Sequence, residues 1–220
     1  LFGPIPAGET AIPITAAEPP QTEKRRVTVT GADSTPHLIY AYKAPPANHP
    51  DYLPLSLLNA AFTGGSSLGM FGGGGSNKSS RLYRALVSTE LAVSVHGGLT
   101  PSVDPFLYMI NVTARNGRSL TEVEAALENE INRLAAEPIT QAELDKALKR
   151  AKAGFVMAGE SITGQTQLLG LAETVVGDYG WFETVLERLN QVTLADIERV
   201  RQTYLQPAQR TVGVYRKDEG

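Results

Sequence analysis

The 220-residue chain has no cysteine, three histidines and one tryptophan, and aromatic residues make up only 7% of it. Without cysteine there can be no disulfide, no thiolate zinc ligand and no cysteine nucleophile. The same absence suits a reducing compartment and equally an exported protein that needs no bridges, so periplasmic and cytoplasmic locations both stay open. Charge of one sign is also missing. Twenty Lys+Arg stand against 23 Asp+Glu for a net charge of -3, which argues against a nucleic-acid surface. No apolar run is long enough to span a bilayer, and residues 1–6 (LFGPIP) lack the basic and apolar stretches of a signal peptide. What is present is enough chain for one large domain, able to bury roughly 70% of the surface its unfolded form would expose.

Catalytic patterns are scarce. His37, His49 and His96 share no helical i, i+4 spacing and no Glu-His follows any of them, so a helical zinc site is not encoded. They read as a strand-edge, a loop and a turn histidine. No Gly-x-Ser-x-Gly elbow lies between a strand and a helix, so a serine hydrolase is not supported. Glu122, Glu124, Glu128, Glu130, Glu143 and Asp145 fall mainly on polar faces of amphipathic helices and read as solvated.

Pro4, Pro6, Pro13, Pro19 and Pro20 make residues 1–23 an extended linker that carries the end of a preceding domain. From residue 24 to 220 one α+β domain is expected. Residues 26–30 (RVTVT) and 37–42 (HLIYAY) read as strands. A helix over 52–62 should turn Leu53, Leu57, Leu58 and Ala61 to one side, and Ser79 or Ser80 can cap a short helix through Val87. Residues 91–96 and 106–113 make a second strand pair. Thr121 to Glu124 and Thr140 to Glu143 have the capping-box spacing, opening helices whose apolar stripes are Val123, Leu127, Ile131, Leu134 and Leu144, Ala147, Leu148, Ala151. Helical periods over 166–176, 181–189 and 194–204 follow, the last capped by Thr193, and 210–215 (RTVGVY) returns as a strand. Strand pairs at hairpin spacing and helices bunched late predict an antiparallel sheet packed on one face by helices.

Residues 64–80 (GGSSLGMFGGGGSNKSS) are too rich in glycine for regular structure. The stretch from Gly72 to Ser79 approximates a phosphate loop, with Asn77 in place of the second glycine. Its context fails, because a helix precedes it where a strand is required. Two readings remain beside nucleotide binding: a plain helix-to-helix connection, or a loop whose bare backbone lies along an extended peptide.

Residues 72–94, GGGGSNKSSRLYRALVSTELAVS, resemble the Gly-Gly-Gly-x-Ser-Ser-Arg-Leu-(Tyr/Phe) segment of the non-zinc half-domain of the pitrilysin and mitochondrial processing peptidase family. The order of later segments, including PITQAEL at 138–144 and VTLADI at 192–197, is similar to that family over residues 24–215. The resemblance implies a metallohydrolase half-domain of the processing-peptidase type, with the zinc held in a preceding half-domain or in a partner and no cofactor in this chain. It implies a chamber wall that contacts peptide substrate, pairing with the zinc-binding half, and a homo- or heterodimer with a related subunit. Gly72, Gly73, Gly74 and Gly75 are the implied substrate contacts, flanked by Arg81. The Arg and Tyr that active members often supply from this half are matched by Val87 and Val93, so no catalytic residue carries over. A structural or assembly subunit of the same fold is the alternative.

Overall fold

The computed structural model describes residues 4, 6, 8, 18–65 and 77–218. Among these residues five strands, β1 (Arg25–Gly31), β2 (His37–Ala44), β3 (Ala92–Leu99), β4 (Phe106–Ala114) and β5 (Thr211–Lys217), form one sheet in the order β1-β5-β2-β4-β3. From β5 to β3 every pairing is antiparallel, and β1 joins the edge parallel to β5. The α+β expectation holds, and the sheet is mixed where an antiparallel one was expected. β1 and β5 lie about 180 positions apart, and pairing over that distance leaves no turn signal in the sequence.

Period-two burial along the strands defines the two faces. Leu38, Tyr40 and Tyr42 of β2, Tyr108, Ile110 and Val112 of β4, and Val212 and Val214 of β5 are buried beneath the helices. On the opposite face Val27, Val29 and Ile39 remain exposed. Among the described residues there are six α-helices, α1 (Tyr52–Phe62), α2 (Leu120–Ala136), α3 (Gln141–Ala158), α4 (Ile162–Leu171), α5 (Trp181–Gln191) and α6 (Leu194–Tyr204). α2 buries Val123, Leu127, Ile131 and Leu134, the expected stripe, worth roughly 1.5–3 kcal/mol per side chain. α3 buries Leu144, Ala147 and Ala151, while Leu148 is half-buried.

Three local expectations change. α1 is buried on all sides, including Ser56 and Asn59, with Ala61 the half-buried exception, so its one-sided stripe belongs to a central helix enclosed by α3, α5, α6 and β3. α2 begins at Leu120 under a Ser119 cap whose hydroxyl accepts from the Thr121 amide, and Glu124 turns away to Arg26 instead of closing a capping box. The helix expected over 166–176 starts earlier, at Ile162, and ends in a π-helical turn, Ala172–Val176. The boxes Thr140/Glu143 and Thr193/Asp196 both form.

Of the expected linker, residues 18–23 are described and the remainder lies almost wholly outside the described residues. Gln21 is buried, donating from Nε2 to the carbonyls of Glu23 and Arg210, and Lys43 pairs with Glu18 at 2.6 Å. No described helix is long and apolar enough to cross a membrane.

Candidate functional site

Gly72, Gly73, Gly74 and Gly75 lie outside the described residues, but both stems of the segment that carries them are described. One stem is the end of α1. Its last buried polar residues, Asn59 and Thr63, turn inward together. Thr63 Oγ1 donates to the Asn59 side chain at 2.8 Å and accepts from the Gly65 amide at 3.1 Å, so the chain leaves the helix in a fixed direction. Gly64 takes φ +80°, a left-handed conformation that suits glycine at a helix exit. The other stem is residues 77–80, where Asn77 Oδ1 accepts from the amide and hydroxyl of Ser79, forming an Asx turn. Ser80 Oγ then donates to the Thr63 carbonyl at 3.1 Å, buried, and fastens one stem to the other.

The first stem sits against β3, an edge strand of the sheet. Asn59 Nδ2 donates to the Gly97 carbonyl at 3.2 Å. The approach requires glycine: a Cβ at Gly97 would fall 2.3 Å from Asn59 Oδ1 and 2.4 Å from Thr63 Cγ2. Gly97→Val should therefore lower stability by about 2 kcal/mol and raise hydrogen exchange at the Gly65 amide. Unchanged thermal unfolding and exchange would show that the stem is not held there.

Arg81 follows Ser80 and enters a π-helical turn, Tyr83–Val87. Its guanidinium is half-buried and turned toward the end of α2 and the start of α3. Nε and Nη2 donate to Glu143 Oε1 and Oε2 at 2.8 and 2.7 Å, while Nη1 and Nη2 donate to the carbonyls of Glu137 and Pro138. One side chain thus joins the C-terminus of α2 to the N-terminus of α3 and holds the start of the π-turn against both. The Arg81 guanidinium, aided by the amide and hydroxyl of Thr140, holds the Glu143 carboxyl down to about 2 against the opposing effect of burial. Glu143 was expected on a solvated helix face. Its capping-box position is visible in the sequence, but a partner 62 positions away leaves no signal. The same holds for Glu124, bidentate to Arg26, and for Glu128, paired with Arg210.

The histidines stay apart. His37 in β2 lies against Thr113 and Tyr215, His49 accepts the Asp51 amide in the loop before α1, and His96 is in β3 rather than in a turn. Among the described residues no three His, Asp or Glu side chains gather where they could hold a metal ion, so these residues do not fit a zinc centre. Val87 is half-buried against the core. Val93 sits at a register shift in β3 with 60% of its surface exposed, so it does not pack inside. Neither can donate a hydrogen bond to a reacting oxygen. The arrangement can position backbone beside an edge strand, and it contains no described acid, base or nucleophile set for chemistry.

The family model described as the peptidase M16 inactive domain matches residues 1–151. The beta subunit of the mitochondrial-processing peptidase of Lentinula edodes is 26% identical over 177 residues, 78% of this chain and 36% of that protein. The chain thus spans about a third of that relative's length. The inactive peptidase domain of a proposed zinc protease from Bordetella parapertussis superposes with a TM-score of 0.73 at 26% identity, covering 87% of this chain and 96% of that one. A Helicobacter pylori protease shares the fold at a TM-score of 0.81 and 22% identity, over 95% of this chain and 48% of that one. With the fold, the Arg81 motif and the family model in agreement, the chain belongs to the peptidase M16 family as its inactive domain.

Proposed function

We propose that this chain is the non-catalytic half-domain of a zinc-dependent endopeptidase, forming part of the wall that receives an extended peptide. Zinc and general base belong to a separate half-domain, in the same protein or in a related subunit with which this chain pairs. Gly72–Gly75 meet the peptide through their backbone, where the absence of side chains leaves amides and carbonyls open to a second strand. Arg81 acts as a positioning residue: its donors serve Glu143 and two carbonyls, and through Ser80 it steadies the stem of the glycine segment.

The observation that carries this reading is the double fastening of both stems, Thr63 to Ser80 and Asn59 to Gly97, beside the edge of β3. A connection that only bridged two helices would not need its ends tied to each other and to a strand through buried polar groups. The Arg81 bracket adds to it.

The test is reconstitution with a zinc-bearing half-domain. The chain alone should neither cleave peptides nor hold stoichiometric zinc, and the assembled pair should cleave extended peptides. Deleting residues 72–75 should lower kcat/KM of the pair about tenfold while leaving the unfolding temperature of this chain unchanged. Zinc bound to the isolated chain, or full activity after the deletion, would overturn the assignment. A pair that assembles without cleaving would favour the structural-subunit reading.

A further inference from the structure

Beside the Arg81 bracket, a cavity of about 220 Å³ opens between the end of α1, the π-turn and α3. Its floor is apolar, with Ala60 and Ala147 facing in, and Asn77 and Ser79 of the second stem close one side. Arg84, Lys146 and Arg150 line it as well. Glu143, which also reaches the cavity, is already engaged: Oε1 accepts from Arg81, and Oε2 accepts from Arg81 and from the amide and hydroxyl of Thr140. Among the described residues no ion pair joins Arg84, Lys146 or Arg150 to a carboxylate. Lys146 donates instead to Ser79 Oγ.

Arg26, Arg81, Arg115, Arg133, Arg199, Arg201 and Arg210 each have a carboxylate within salt-bridge distance, whereas Arg84, Lys146 and Arg150 stand together around one cavity without one. Lys146 and Arg150 stand one turn apart on α3, a like-charge pair that costs a helix a few tenths of a kcal/mol unless an anion lies between them. Arg84 faces them across the cavity. A bare phosphate would gain nothing from the alanine floor, whereas a carboxylate carried on one or two methylenes would bury those carbons there and present its oxygens to both guanidinium forks.

We propose that this cavity is a subsite for a carboxylate of the bound peptide, either an Asp or Glu side chain or the C-terminal group, held by Arg84 and Arg150. The inference rests on the reading that the neighbouring glycine segment receives extended peptide, and it adds a preference for acidic ligands. Lys146 contributes charge while keeping its contact with Ser79.

Fluorescence anisotropy of the 220-residue chain with four labelled peptides of one neutral extended sequence tests it. Two are blocked at both ends and carry Asp or Asn at the same central position, and two lack Asp and end in a free carboxylate or an amide. Each carboxylate-bearing peptide that uses the cavity should bind about tenfold more tightly than its uncharged counterpart. The advantage should shrink as salt rises and vanish in the Arg84→Gln, Arg150→Gln double variant, with its unfolding temperature unchanged. The arm that shows the advantage identifies the source of the carboxylate. Equal binding of charged and uncharged peptides, or an advantage that survives in the double variant, would overturn the subsite and leave peptide contact standing. Failure of all four peptides to bind would overturn both.

Discussion

Arg81→Ala should destabilise the domain by about 3 kcal/mol, read as a lower urea midpoint at unchanged denaturant dependence. Four hydrogen bonds leave with the guanidinium, two of them to Glu143 and two to the carbonyls of Glu137 and Pro138. Arg81→Lys keeps the charge but not the planar fork, and should recover less than half of the loss. The pair also writes itself into the pH dependence. The Glu143 carboxyl, ordinarily near 4.5, is held down to about 2 in the folded chain. A depressed folded value means stability that is fully present above the ordinary value and is lost as pH falls toward the folded one. Between about pH 4.5 and 2 the native chain should therefore shed roughly 1–2 kcal/mol through this carboxyl, after allowance for the water that reaches it. Arg81→Ala should flatten most of that slope. An unchanged slope would mean that the Thr140 amide and hydroxyl alone hold the carboxylate.

The second large effect should run opposite to burial. Arg210 is 2% exposed, lies with its guanidinium carbon 4.4 Å from the Tyr40 ring centroid, and donates to Glu128 at 2.7 Å, while Glu128 keeps 38% of its side chain in water. Arg210 Nε has no hydrogen-bond partner among the described residues. Glu128→Ala strands a cation in the interior and should cost about 3 kcal/mol. Arg210→Met removes the charge, fills the space against the tyrosine with an apolar chain and leaves Glu128 free to turn to solvent, so it should cost about 1 kcal/mol or less. Changing the half-exposed partner thus does more damage than changing the buried one. Equal losses, or the reverse order, would show that the packing of Arg210 matters more than its neutralisation.

These two pairs mark where the sequence stops being readable. Local rules identified what depends on a few neighbouring residues: the caps at Thr140 and Thr193, the α2 stripe, and α6 to the residue. The glycine-rich segment and the Arg81-Leu82-Tyr83 motif were visible as a resemblance, and the fold they implied is the one observed. Pairings of high sequence separation were not legible. Glu124, Glu128 and Glu143 have the periodicity of solvated helix faces, and only the fold brings Arg26, Arg210 and Arg81 to them over separations of 98, 82 and 62 positions. α1 misled for a different reason. Its leucines recur at helical spacing, yet Asn59 and Thr63 are as buried as the leucines because their polar atoms bind each other, and Asn59 also binds the Gly97 carbonyl. A hydrophobicity pattern counts such residues as surface.

The parallel β1–β5 edge has a mechanical consequence. Both strands run the same way, from Arg25 beside Thr211 to Gly31 beside Lys217, and the ladder is extended at its ends by Arg25 to Arg210 and Asp218 to Gly31. Tension between the segment before β1 and the segment after β5 would drag the two strands along each other in opposite directions. Every rung would bear the load together, in shear, instead of opening one after another as a zipper does. A pull on either flanking segment would then be resisted along the whole line where the chain enters and leaves the sheet.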